Sequence, residues 1–102
     1  MSTLQTVFNR LSVSLGTQKD VLAFCEDREA ALVVTENIKN GIEMEGLIAT
    51  GAMYDSIRPK RQGDEWVVEG IHYTKYQNGR YGFVDDAVID AQIDGYDAEL
   101  GI

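Results

Sequence analysis

Leu4, Val7, Phe8, Leu11 and Leu15 recur at the three- and four-residue spacing of one helical face, with Ser2 or Thr3 before them as N-cap and Gly16 behind them as a stop. The pattern predicts a short amphipathic helix over 3–15. A second helix is expected from Thr17, whose hydroxyl caps while Asp20 falls in the first turn, to the stop signal Asn40-Gly41. Val21, Phe24, Cys25, Ala31, Leu32 and Ile38 would share its buried face. Beyond Gly41 the period shortens: Ile42 and Met44 alternate with Glu43 and Glu45 before Gly46 and Thr50-Gly51 interrupt, a loop or short strand. Residues 52–57 fit one helical turn about as well as the lead into a strand.

The plainest β signal lies between 56 and 72. SIRPKR, the turn-forming Gln62-Gly63-Asp64 and EWVVEGIHY read as a hairpin, with Trp66, Val67 and Val68 as strand formers. Pro59 confines the first strand to an edge or an early position, because it cannot donate to a ladder. Asn78-Gly79 and Gly82 mark a loop. Val84, Val88, Ala91 or Gln92, and Ile93 then define a last helix over 84–94, ended by Gly95, with a loose tail behind it. The expected fold class is α+β: N-terminal helices, a small antiparallel sheet with a β-hairpin, and a C-terminal helix. Within it, residues 1–40 form a helical region, residues 41–83 a loop and hairpin region, and residues 84–102 a closing helix with its tail.

With 102 residues, 44% of them hydrophobic and only one proline, the chain fits a single domain with one packed core. Nine basic residues stand against 17 acidic ones, a net charge of −8, which argues against a domain built to grip phosphates. The charge is uneven: residues 1–57 carry −4, residues 58–80 carry +2, and residues 81–102 carry −6 with no Lys or Arg among them. A basic waist thus precedes an acidic tail. The lone Cys25 excludes an intrachain disulfide and a Cys-based zinc site, and its place on an apolar face suits an inert buried thiol. No run approaches the ~20 apolar residues of a membrane span, so a soluble, non-exported protein is expected.

Candidate chemistry is sparse. His72 is the single histidine, expected to pack or cap rather than act as a base, and no Ser or Cys stands in a nucleophile context. Asp86, Asp90 and Asp94 share a helical flank but lack the loop of a calcium site. The glycine segments GLIATG (46–51) and GRYG (79–82) lack the Lys-Ser/Thr ending of a phosphate loop. No metal, nucleotide or other cofactor is expected. Tyr73, Tyr76, Tyr81 and Phe83, interleaved with Lys75 and Arg80, suit either base stacking or a protein interface, and the net charge favours the interface.

Taken in order, these pieces resemble a known family. A helical first half, the segment TG-x-h-x-x-S-I, where h is hydrophobic (Thr50, Gly51, Met53, Ser56, Ile57), a strand pair, the tyrosine-rich YTKYQNGRYGF with Tyr73 and Gly79, and a closing helix containing Ala87 resemble the tail-completion or head–tail joining proteins of tailed bacteriophages. The likeness spans about residues 40–91. Where that family usually has a proline ahead of the TG pair and near the last helix, this chain has Ala49 and Asp85-Asp86.

The resemblance implies a structural virion protein and not an enzyme. Six or twelve copies, made in the host cytoplasm, would form a ring in the neck or tail end between connector and tail proteins. DNA would pass through its lumen without sequence-specific binding, and no membrane is involved. Rings arise from two unlike surfaces of one subunit. The expected contact sets Arg58, Lys60 and Arg61 of one copy near Asp86 or Asp90 of the next, with Tyr73, Tyr76, Arg80 and Tyr81 as further interface candidates. The alternative is a small acidic inhibitor that mimics DNA charge in the basic site of a nucleic-acid enzyme.

Overall fold

A computed structural model of the protein describes residues 18–47 and 51–102. The helix expected over 3–15 and the motif residue Thr50 lie outside them. The described chain runs β1 (Lys19–Cys25), α1 (Arg28–Met44), α2 (Ala52–Ser56), β2 (Arg58–Gln62), β3 (Glu65–Ile71), α3 (Tyr73–Tyr81), α4 (Phe83–Ile93) and β4 (Ala98–Leu100). The class is α+β, with one antiparallel sheet in the order β2-β3-β1-β4.

The expected helix over 17–40 is corrected to a strand followed by a helix. Val21 to Cys25 are five apolar residues in a row, and such a run fits a buried strand as well as a helix face. As a strand it inserts between β3 and β4, pairing with both. A bulge between Val21 and Ala23 turns both Leu22 and Ala23 into the core, while the strand period leaves Phe24 on the opposite face and exposed. The operative N-cap is Asp27, in extended conformation, whose carboxylate accepts from Ala30 N at 2.9 Å.

Asn40-Gly41 does not stop α1. Gly41 sits where α1 crosses α4, and a Cβ there would lie 2.9 Å from Phe83 Cβ, so its role is close packing. The helix ends at Glu45 and Gly46 in a Schellman motif: Gly46, at φ +69°, donates to Glu43 O and Leu47 N to Ile42 O, each at 3.0 Å. The loop or strand expected after Gly41 is therefore the last turn of α1. Leu32, expected on the buried face, is exposed.

The hairpin forms as expected, around Gly63-Asp64 with Gly63 at φ +64°, and Pro59 lies on the edge strand β2. Residues 52–56 take the helical option. The loop expected at 78–82 is instead the end of α3, closed by Gly82 at φ +68°. The tail is not loose: Ala98, Glu99 and Leu100 pair with Cys25, Phe24 and Ala23, and Gly101 N donates to Leu22 O at 2.9 Å. Its signal is weak in sequence because a three-residue edge strand has no period to read.

The core lies between one face of the sheet and the helices. Leu22, Ala23, Val68 and Ala98 from the strands meet Val34, Ile38 and Ile42 of α1, Ile57 after α2, and Val84 and Val88 of α4. Helix α1 packs along all four strands, whereas α4 packs on α1 and β4. The basic strand β2 and the acidic helix α4 therefore stand toward opposite ends of the sheet. Among the described residues no helix is long and apolar enough to cross a membrane.

Candidate subunit interface

Among the described residues strand β2 has one hydrogen-bonded neighbour, β3, and its outer edge is unpaired. Arg58, Lys60 and Arg61 are all exposed along it. Strand alternation and the register Arg58↔Glu69, Lys60↔Val67 place Arg58 and Lys60 on the face away from the helices and Arg61 on the other. Glu69 lies between two cations, 3.8 Å from Lys60 Nζ and 3.6 Å from Lys19 Nζ. Arg61 Nε donates to Gly63 O at 3.2 Å. Among the described residues neither Arg58 nor Arg61 has a carboxylate at ion-pair distance, so the edge keeps an outward positive charge.

At the other end, α4 buries Phe83, Val84, Ala87, Val88 and Ala91 and turns Asp86 and Asp90 outward. Beside them Ile89 is 50% and Ile93 76% exposed. Ile93, which the helical period grouped with Val84, Val88 and Ala91, thus turns away from the core where those three are buried. Asp86 and Asp90 border a groove of about 360 Å³ between α1 and α4 that also takes in Asn37, Met44 and Glu45. Asn37 Nδ2 ties its walls together by donating to Ala87 O at 3.2 Å. Among the described residues neither aspartate pairs with a cation.

The tyrosine segment divides. Phe83 is buried, whereas Tyr73 and Tyr76 stand out from α3 at 55% and 63% exposure. Gln77 Nε2 donates to Tyr73 Oη. Tyr76 meets the His72 ring edge to face at 5.2 Å, and His72 Nδ1 lies 2.8 Å from Asp20 Oδ2. The pairing of His72 with Asp20 has no local sequence signal, since the two are 52 positions apart and meet through the β1–β3 register. Ser56 Oγ offers this corner no free nucleophile: it donates to Met53 O at 2.7 Å and accepts from Ile71 N at 3.0 Å. Arg80 lies over the Tyr81 ring at 5.7 Å. Both line a cleft of about 660 Å³ with Lys75, Asp85, Asp86 and Leu100.

Of the family-like segment, Met53, Ser56 and Ile57 are buried, and Gly51 takes the N-cap position of α2 at φ +74°, a conformation that favours glycine. Gly79 is exposed on α3 with open space where a Cβ would stand. The structure thus brings Arg80, Tyr81 and Asp86 into one cleft and Asp86 and Asp90 into one groove. It holds the β2 cations apart from both. The exposed pair Ile89 and Ile93 escapes the sequence reading, although the spacing Asp86, Ile89, Asp90, Ile93 marks a second helical flank. No family model matches the chain, and no curated protein or solved structure matches it either.

Proposed function

We propose that the protein is a structural virion subunit of a phage neck or tail end, whose copies form a ring joining connector to tail around the DNA channel. One observation carries this reading: a single small sheet bears a basic edge at one end and an acidic helix at the other, and neither Arg58 and Arg61 nor Asp86 and Asp90 are neutralised within the described chain. A subunit with two unlike, complementary surfaces assembles head to tail, and such contacts form a ring when the rotation from copy to copy closes on itself. The resemblance over about residues 40–91 supplies the biological setting. A net charge of −8 per copy suits a conduit whose wall repels the duplex.

Native mass of the purified chain is the direct test. Six or twelve copies are expected. One or two copies would overturn the ring and favour the other reading, an acidic inhibitor that occupies a basic nucleic-acid site. The row Asp86, Asp90 and Asp94, at helical spacing on an exposed flank, is the feature that speaks for the inhibitor. That protein would bind a basic partner with steep salt dependence.

A further inference from the structure

We infer that neighbouring copies meet through two specific surfaces, the outer flank of α4 (Asp86, Ile89, Asp90, Ile93) on one copy and the β2 edge (Arg58, Lys60, Arg61) on the next. The inference rests on the self-assembly proposed above and names the surfaces that carry it. Helix α4 is apolar on two sides but packed on one. Its inner side fills the core, while Ile89 and Ile93 lie one turn apart in solvent beside the row formed by Asp86 and Asp90. An exposed apolar pair bordered on one side by charge is a docking patch.

Charge decides what covers it. A two-fold contact of α4 on α4 would set Asp86 and Asp90 against their own copies, and α4 carries no cation to offset them. A two-fold contact of β2 on β2 would likewise oppose three cations to three. The β2 edge is also a poor template for adding a strand. Gln62 and Glu65 close a two-residue hairpin, so alternation turns Pro59 away from β3, and its missing N–H leaves a gap on the free edge. This edge therefore meets a partner through side chains.

The cross-pairing satisfies both surfaces together. The aliphatic stems of Arg58 and Arg61, reaching out from the two faces of the edge strand, cover the isoleucines, while their guanidinium ends reach the aspartates; Lys60 stays with Glu69 and adds to the positive field. Because the two surfaces stand toward opposite ends of one sheet, a copy engages both neighbours at once.

The test uses two full-length chains, one with Asp86→Arg and Asp90→Arg, the other with Arg58→Glu and Arg61→Glu. Lys60 is left in place to keep its pair with Glu69. Each reversed chain alone is expected to fall to monomer mass. An equimolar mixture is expected to regain the wild-type mass, since each reversed surface then finds an opposite charge on the other chain. Wild-type mass in either reversed chain alone, or a mixture that stays monomeric with both chains folded by circular dichroism, overturns the inference. A monomeric wild type would instead overturn the self-assembly reading itself. Ile93→Ala guards against misfolding of the reversed chains: it leaves the fold intact, and association weakens by about tenfold. Unchanged association would count against the patch.

Discussion

Thr74 is fully buried, and its hydroxyl has no hydrogen-bond partner among the described residues. It packs against Gly70, where an added Cβ would lie 3.2 Å from Thr74 Oγ1. A buried hydroxyl without a partner carries its desolvation cost uncompensated, and valine has nearly the same shape. Thr74→Val is therefore expected to stabilise the fold by about 1 kcal/mol, read by urea unfolding. Cys25 yields a second prediction. Burial first and the Asp27 carboxylate second push its thiol up to about 11. Alkylation by iodoacetamide should be slow at neutral pH and accelerate toward that value. The unfolded thiol ionises at its ordinary, lower pKa, so the contribution to stability is whole below that value and is lost as pH climbs through about 11. The inert thiol was legible in sequence, because a lone Cys amid apolar neighbours is usually buried. The fate of the Thr74 hydroxyl was not, because it depends on how closely Gly70 lets α3 approach β3.

Helix α4 starts at Gly82, which has no side chain to cap it. Asn78, from the preceding helix, takes over: its Oδ1 accepts from Val84 N at 2.7 Å and Asp85 N at 3.3 Å, and its Nδ2 donates to Asp85 Oδ1 at 2.6 Å. Asn78→Ala would leave the buried Val84 N–H unpaired and is expected to cost about 2 kcal/mol in chemical denaturation. A loss near zero would show that water replaces the cap. The same residue explains a misreading. Asn78-Gly79 resembles a turn, yet here the asparagine is retained inside a helix for a contact six and seven positions ahead. Elements with their own local chemistry, the hairpin and α4, were legible. Strands β1 and β4 were not, since one is an unbroken apolar run and the other is three residues long: β1 becomes a strand by pairing with β3, and β4 by adding to the free side of β1.

At the scale of the whole molecule, the charge sequence −4, +2, −6 along the chain becomes a separation in space, a basic sheet edge at one end and an acidic helix toward the other. Under the proposed assembly, association between copies should weaken as ionic strength rises from about 0.05 to 0.5 M, over which the screening length falls below the span of the patch. The melting temperature of the dispersed subunit should change little over the same range, because the lysine ion pairs with Glu69 are partly exposed. Sedimentation and thermal unfolding in one salt series separate the two effects. Sequence alone made the charge blocks visible, but their placement required the strand order. That order also governs how the chain becomes a protein. Strand β1 leaves the ribosome long before either of its partners, so α1 follows it with no sheet to cover. Among the described strands the hairpin of β2 and β3 closes locally, and β1 must wait for β3 on one side and for β4 on the other. Completion of the sheet is thus deferred until β4 has been made, and the unpaired apolar run Val21 to Cys25 is the segment that a chaperone would have to shield in the interval.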